Sequence, residues 1–319
     1  MKKNIFYLFF LCFCCATSGF AQTFIPDKNF AYVIREQCSS CITLTDTLTD
    51  EASSFIYLDV HNRQIKSLEG LEAFVNVTNL ICYDNLLTSL PALPKGLIYL
   101  ECYSNLLTYL PTLPNSLIDL GCDGNKLTNL PFLPKGLIYL ACSKNLLTKL
   151  PPLPNNLMNL ECSMNNLVDL PNLPPSLVFL YCDNNQLTTL PALPDALTLL
   201  NCNDNNLTFL PALGQKLIKL DGQNNPNLSC INGLLPNTIF SLDVSNTNVK
   251  CLPNKPSNIA QYILPICDAT NTNGCFFVTS TTENEPIERI NIYPNPIENL
   301  LHIETPITIS NITMTNILG

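Results

Sequence analysis

The histidines and cysteines of this chain could do chemistry, and their positions limit what that chemistry could be. The 319 residues include only 2 His, and His61 and His302 lie far apart in the sequence. Ser-His-Asp and Cys-His catalysis both need a His as the base, and neither His has a credible nucleophile partner. Cys38 and Cys41 form a C-x-x-C pair, but no βαβ pattern typical of a redox motif surrounds it. We therefore expect no enzyme, and a disulfide or two separately paired cysteines at this pair.

Seven of the 16 cysteines recur every 20 residues: Cys82, Cys102, Cys122, Cys142, Cys162, Cys182 and Cys202. A metal or redox ladder is one interpretation, and packing as small apolar side chains is the other. Zinc needs several ligands close together, whereas these cysteines are spread singly. Stacked residues have parallel Cα–Cβ directions, which suit a disulfide poorly. We predict seven free, buried thiols, no metal and no cofactor.

Three of the other nine cysteines lie in residues 1–21, and the remaining six are disulfide candidates: Cys38, Cys41, Cys230, Cys251, Cys267 and Cys275. We place Cys230 and Cys251 at one outward column of successive repeats, and predict Cys230–Cys251 and Cys267–Cys275. Other connectivities remain open, because sequence alone does not fix them. The segment 268–274 lacks the alternate spacing of a calcium loop, so we predict no calcium site there.

A 20-residue repeat must position these side chains. One unit reads L-x-x-L-x-C-x-x-N-x-L-T-x-L-P-x-L-P-x-x, as in residues 97–116. The L-x-x-L-x-C segment ends in a period-two alternation, which predicts a short strand with Leu100 and Cys102 turned inward. The paired prolines forbid helix and favour polyproline II on the opposite side. The composition agrees, since 25 Pro exclude a helical bundle.

This unit resembles the leucine-rich repeat, in its short bacterial form with an L-P-x-L-P back. The resemblance implies an α/β solenoid class, with a parallel β-sheet on the concave side and an extended convex side. It also implies that one Asn per repeat hydrogen-bonds backbone groups of its own and the neighbouring coil. That ladder is Asn85, Asn105, Asn125, Asn145, Asn165, Asn185, Asn205 and Asn225.

The sequence divides into six predicted parts. These are a signal peptide at 1–21, an N-terminal cap at 22–54 with a capping helix over 24–37, about ten coils at 55–256, a C-terminal cap at 257–275, a linker at 276–287 and a partial all-β segment at 288–319. The apolar run in 1–21 is too short to cross a bilayer, which needs ~20 residues, and no later stretch is long enough.

The last part contains Ile-Tyr-Pro-Asn-Pro, with Tyr293, Pro294, Asn295 and Pro296 as its motif. It resembles the opening of the type A sorting domain of the type IX secretion system of Bacteroidota. The resemblance implies export through the periplasm to the outer surface or medium, with the secretion machinery as a partner. The family continues past the position of Gly319, so we expect this chain to be a fragment or unable to be secreted as written.

Outward strand positions line the concave face and carry seven aromatics among many acids. The predicted ligand-binding residues are Tyr57, Tyr83, Tyr99, Glu101, Tyr103, Asp119, Asp123, Tyr139, Glu161, Phe179, Tyr181 and Asp183. We expect Tyr99, Glu101, Tyr103, Asp123 and Tyr139 to form the centre. Nucleic acid is excluded as a partner, because 25 acidic residues exceed 16 basic ones for a net charge of −9.

We expect a surface or secreted protein that binds a protein or glycan through this face. A structural or adhesive protein without one specific ligand is an alternative, because strand tyrosines also suit a sheet surface. A surface hydrolase is a further alternative, because carboxylates are paired on that face, although no cleft is evident.

Overall fold

The computed structural model describes residues 23–259, 264–267, 291–293 and 302–304. Within them the chain is a parallel-strand β-solenoid, so the predicted fold class is confirmed. The predicted signal peptide and most of the predicted sorting segment lie outside the described residues.

The described strands are short and follow the repeat. In chain order they are β1 (Tyr57–Asp59), β2 (Asn79–Ile81), β3 (Tyr99–Glu101), β4 (Asp119–Gly121), β5 (Tyr139–Ala141), β6 (Asn159–Glu161), β7 (Phe179–Tyr181), β8 (Leu199–Asn201), β9 (Phe209–Leu210), β10 (Lys219–Asp221), β11 (Cys230–Ile231), β12 (Ser241–Asp243), β13 (Asn291–Tyr293) and β14 (His302–Glu304). Strands β1 to β8, β10 and β12 form one ten-stranded parallel sheet. Strands β9 and β11 pair in parallel, and β13 and β14 pair antiparallel.

The sheet keeps the register of the sequence repeat. Leu100 pairs with Leu120, and Leu120 pairs with Leu140, so each coil repeats the previous one without a shift. The central leucine of each of these strands is fully buried, while the residues on either side face outward. Between consecutive strands from β2 to β8 the described chain contains no helix, because the Pro-rich back occupies that stretch.

Each coil turns inward through one residue in the left-handed backbone region, with φ between 50° and 60°. This column is Asn62, Asp84, Ser104, Gly124, Lys144, Met164, Asn184, Asp204, Asn224 and Asn246. Asn, Asp and Gly tolerate this conformation, whereas Ser104, Lys144 and Met164 hold it at a cost. The residue types of this column vary too much for the sequence repeat to reveal it.

An N-terminal cap covers the first coil. Its helix α1 (Lys28–Gln37) begins later than the predicted 24–37, because Asp27 is its N-cap and Phe24 bridges to Thr47 instead. Oδ1 of Asp27 accepts from the backbone N–H of Asn29 and Phe30, at 2.9 and 3.1 Å. Its Oδ2 accepts from the N–H of Lys66 and Ser67, at 2.7 and 3.1 Å. One carboxylate therefore both starts the helix and docks it on the first coil.

Buried apolar and charged contacts hold this cap in place. The buried side chains of α1 are Phe30, Ala31, Val33 and Ile34. Asp46 forms ion pairs with Lys28 and Arg35, each at 2.6 Å, and its own side chain is only 10% exposed. These two cations hold the pKa of Asp46 below its usual value. The cap therefore closes the open end of the core, as a solenoid requires.

Candidate ligand-binding face

The concave face is defined here by three outward columns of the ten-stranded sheet. They are the first and third residues of each strand, and the residue two positions after the strand ends. All twelve residues predicted to bind ligand lie in these columns, and none is buried. Tyr57, Tyr99 and Phe179 are the most exposed of the twelve, at 54%, 42% and 40%.

Stacked rings occupy the N-terminal part of the third column. The ring centroids of Tyr83 and Tyr103 are 4.3 Å apart, with planes inclined by only 7°. The His61 ring stacks on the other side of Tyr83, at 4.7 Å. Strand spacing of ~4.8 Å explains this continuous stack, since equivalent residues of neighbouring coils lie one strand apart. Both tyrosines are among the predicted ligand-binding residues, whereas His61 is not.

Hydrogen bonds fix the polar groups at the centre of the face. The Tyr139 hydroxyl donates to Oε1 of Glu161 at 2.8 Å. The backbone N–H of Ser143 donates to Oδ1 of Asp123 at 2.7 Å. The residues expected to form the centre of the site therefore divide into two groups. Tyr139 is hydrogen-bonded to Glu161 of the following coil, whereas Tyr103 stacks on Tyr83 of the preceding coil.

The concave face is strongly acidic. Its acids are Asp59, Glu101, Asp119, Asp123, Glu161, Asp183, Asp221 and Asp243, against one lysine, Lys219. Burial, followed by the charge of Glu101, raises the pKa of Asp119 to about 6. Burial is also the main reason that the pKa of Asp123 is raised. Apart from Asp59, which lies beside His61, no acid of the face forms an ion pair among the described residues, so a positively charged group would be stabilised beside them.

The face also contains acceptors without partners. Among the described residues, the buried Oδ1 atoms of Asn159, Asn203 and Asp221 accept no hydrogen bond. The last two side chains are joined, because Nδ2 of Asn203 donates to Oδ2 of Asp221 at 3.4 Å. A buried acceptor without a donor is costly, so these atoms favour donors supplied by water or a ligand.

Beneath the concave face, the side chains of the repeated asparagines hydrogen-bond the backbone N–H and C=O groups where each coil turns. Oδ1 of Asn145 accepts from the N–H of Leu127 in the preceding coil at 3.0 Å. Its Nδ2 donates to the carbonyls of Cys122, Cys142 and Ser143, at 3.0, 3.1 and 3.1 Å. The same bonds recur from Asn85 to Asn225, and all eight side chains lie in the interior. The ladder therefore couples every coil to the one before it.

The repeated cysteines are free thiols in the core. All seven are buried and unbonded. Burial raises the pKa of each thiol well above its ordinary value, so none is a thiolate near neutral pH. A nucleophile or metal ligand must be a thiolate. These cysteines therefore pack as small apolar side chains.

The terminal cysteines differ from the predicted pairing. Cys38 bonds to Cys41, which agrees with the first of the two alternatives predicted for that pair. Cys251 bonds to Cys267, so the predicted Cys230–Cys251 and Cys267–Cys275 bonds are both wrong. Cys230 and Cys251 are also buried, not outward. The reason lies in the C-terminal cap, where the N–H of Leu252 donates to Pro265 and the N–H of Cys267 donates to Leu252, each at 2.8 Å. This pairing brings Cys267 to Cys251, while Cys230 is disulfide-bonded elsewhere.

Among the described residues, one cluster brings together side chains of the types that bind metal ions. Cys38, Cys41 and Glu51 offer three ligand atoms within 4.8 Å of one another. Both sulfurs are already in a disulfide, which leaves Glu51 as a single ligand. The described part of the chain has no helix with the length and apolar character needed to cross a membrane.

Comparison with known proteins places this geometry in a class. No protein-family model matches the sequence, and no curated protein matches it. Among solved structures, the leucine-rich effector YopM from Yersinia pestis is 27% identical with a TM-score of 0.56, over 73% of this chain and 76% of that one. The chain therefore has a leucine-rich-repeat-type fold with repeats of about 20 residues.

Two further solved structures resemble parts of the chain. YopM from Yersinia enterocolitica is 33% identical with a TM-score of 0.46, over 64% of this chain. This chain spans about half of that protein, 54% of its length. The functional domain of InlJ from Listeria monocytogenes, described as including a cysteine ladder, is 25% identical with a TM-score of 0.48, over 73% of this chain and 75% of that one.

Proposed function

We propose that this chain is an exported leucine-rich-repeat protein, and that it binds a protein ligand whose contacting surface is basic. The ligand occupies the concave face. The observation that carries the proposal is the combination of eight carboxylates, one lysine and partly exposed tyrosines on one sheet surface. Lysine and arginine side chains can pair with the carboxylates and stack on the rings.

Two local features support a cationic ligand. Burial, followed by the charge of the neighbouring Glu101, raises the pKa of Asp119 to about 6, so a cation beside this carboxylate would stabilise its charged form. The buried acceptors on Asn203 and Asp221 would gain donors from ammonium or guanidinium groups. Ligand cations would therefore relieve both repulsion and missing hydrogen bonds along the same surface.

The proposed place of action is the cell surface or the medium. The predicted signal peptide at 1–21 and the resemblance of 288–319 to a type IX sorting domain support it. These two segments would take the chain first to the periplasm and then, through the secretion machinery, across the outer membrane. Of the predicted sorting segment, the described residues are the antiparallel strands β13 and β14. Appearance of the tagged full reading frame in the medium or on intact cells would test this route.

The binding proposal is tested with the full chain and two fluorescent peptides. One peptide is rich in Lys, Arg and Gly, and the other has Glu at every basic position. We expect saturable, salt-sensitive anisotropy changes with the basic peptide only, because salt screens exposed charges. The double variant Glu101→Gln with Asp119→Asn should weaken binding about tenfold, which corresponds to ~1.4 kcal/mol.

The matched control removes the same charge away from the face. Glu69 and Asp169 are exposed acids outside the three columns, so Glu69→Gln with Asp169→Asn should leave binding unchanged. Equal losses in both double variants would show that net charge alone drives binding, which contradicts the proposal. Tyr103→Ala with Tyr139→Ala tests the aromatic contribution, and unchanged affinity would remove these rings from the site. Weak, unsaturable attachment to many surfaces would favour the adhesive alternative.

A further inference from the structure

A cavity lies where the N-terminal cap meets the first coil. It has a volume of about 580 Å³ and is lined by Gln37, Tyr57, Asp59, His61, Asn62 and Arg63. This volume falls in the range of roughly 300–1,000 Å³ that is typical of small-molecule sites. Gln37 is the last residue of α1, and its Nε2 donates to the backbone carbonyl of Asp59. The cap and the sheet therefore build the cavity together.

The walls of the cavity are polar and planar, with one aromatic surface. Five of its six lining side chains end in an amide, a carboxylate, an imidazole or a guanidinium group. Such groups hold donors and acceptors in fixed planes. The sixth, Tyr57, is 54% exposed and offers an aromatic surface beside them.

Two close contacts between polar side chains lie beside the cavity. Nδ1 of His61 lies 2.6 Å from Oδ1 of Asp59. Nη1 of Arg63 lies 3.2 Å from Oε2 of Glu36. A charged ligand would have to compete with these two contacts, whereas a neutral ligand would leave both intact. This contrasts with the rest of the concave face, where acids lack such partners.

The paired groups still have hydrogen-bonding capacity for a neutral ligand. The bond between His61 and Asp59 uses one nitrogen of the ring and one oxygen of the carboxylate. Nε2 of His61, Oδ2 of Asp59 and further N–H groups of Arg63 are left to serve vicinal hydroxyls. The His61 ring is also held in place by its stacking on Tyr83, so the cavity is preorganised.

We propose that this cavity binds a neutral sugar unit, a hexopyranose at the end of a glycan. The polarised C–H groups of one sugar face would lie on the negative face of the Tyr57 ring. The sugar hydroxyls would bond the planar side chains around it. This inference goes beyond the proposed protein-binding function, because it concerns another ligand class and a site at the N-terminal end of the concave face, where the cap meets the first coil.

The test uses saturation-transfer NMR on the full chain with methyl glycosides of glucose, galactose, mannose and N-acetylglucosamine. At millimolar concentration, at least one glycoside should receive transfer from the protein. Tyr57→Ala should weaken that interaction about tenfold, which corresponds to ~1.4 kcal/mol. Asn62→Gly should also weaken it, while preserving the left-handed backbone at this position, where φ is 51°.

Two controls match these variants in residue type and environment. Tyr109 is 53% exposed but lies outside the cavity, so Tyr109→Ala should retain glycoside binding. Asn246 occupies the left-handed position of the last coil, with φ of 56°, so Asn246→Gly should retain it as well. Loss in the cavity variants with retention in both controls supports the proposal.

Three results would overturn the proposal. They are no transfer to any glycoside, equal loss in the cavity and control variants, or binding of Nα-acetyl-lysine amide at the cavity in place of every glycoside. The basic-peptide assay depends on Glu101 and Asp119, neither of which lines the cavity. Failure of one proposal is therefore distinguishable from failure of the other.

Discussion

Replacing Asn145 with alanine removes one amide from the middle of the asparagine ladder. The N–H of Leu127 then loses its acceptor in the interior, which costs ~1–3 kcal/mol. The carbonyls of Cys122 and Cys142 lose donors at 3.0 and 3.1 Å, each bond contributing ~0.5–1.5 kcal/mol. We therefore expect the free energy of unfolding to fall by about 3 kcal/mol.

Urea unfolding followed by far-ultraviolet circular dichroism measures this loss. The control is Asn129→Ala, which removes an exposed asparagine from the preceding repeat unit and should change stability by less than ~0.5 kcal/mol. If Asn145→Ala and Asn129→Ala shift the urea midpoint equally, the amide does not satisfy these backbone groups. The account of coupling between coils would then be wrong, because the same four bonds recur throughout the ladder.

Three further predictions concern pH, backbone strain and thiol reactivity. The pKa of Asp119 is about 6 in the folded chain against 3.8 unfolded, so the folded state holds this proton more tightly. The contribution of Asp119 to stability is therefore greatest below pH ~4 and falls as pH rises to ~6. Asp119→Asn should remove this decrease when the urea midpoint is measured against pH, whereas the exposed-site control Asp169→Asn should leave it unchanged. Met164→Asn should raise stability by ~0.5–1 kcal/mol, because Met164 holds a φ of 55°, whereas the exposed Met158→Asn should not. The seven repeat thiols should react with maleimide only after the chain is denatured, with no reductant added. Peptide mapping that finds these cysteines oxidised, or labelled in the native chain, would show that they are not buried free thiols.

The sequence predicted the parts of the fold that repeat. Leu100, Cys102 and Asn105 recur at a constant spacing, and their burial follows from polarity and strand periodicity alone. The same alternation placed Tyr99 and Glu101 on the outward face of their strand. Each of these positions depends on local periodicity, which a single sequence displays directly.

The sequence did not predict features that depend on packing between elements. The stack of His61 on Tyr83 requires knowledge of ring orientation, which spacing does not provide. The cavity depends on where Gln37 at the end of α1 meets the first coil. The Cys251–Cys267 bond depends on the path of an irregular segment, whereas the predicted pairing assumed that the repeat continued to Cys251. The left-handed column was also obscured, because Met164 and Lys144 occupy positions typical of Asn or Gly.

The unbroken register of the sheet makes the length of this molecule a variable that gene duplication can change in whole units. Every internal unit from β2 to β8 begins and ends at equivalent positions of the repeat, because Leu100 pairs with Leu120 and Leu120 pairs with Leu140. Unequal crossing-over between two such units would insert or delete one 20-residue coil while keeping both caps and every ladder bond type. Each event would move the surface by one strand, ~4.8 Å, and bring a new row of outward residues with it. Natural variants of this chain should therefore differ in size by multiples of 20 residues, and their ligands should differ in the span that they cover.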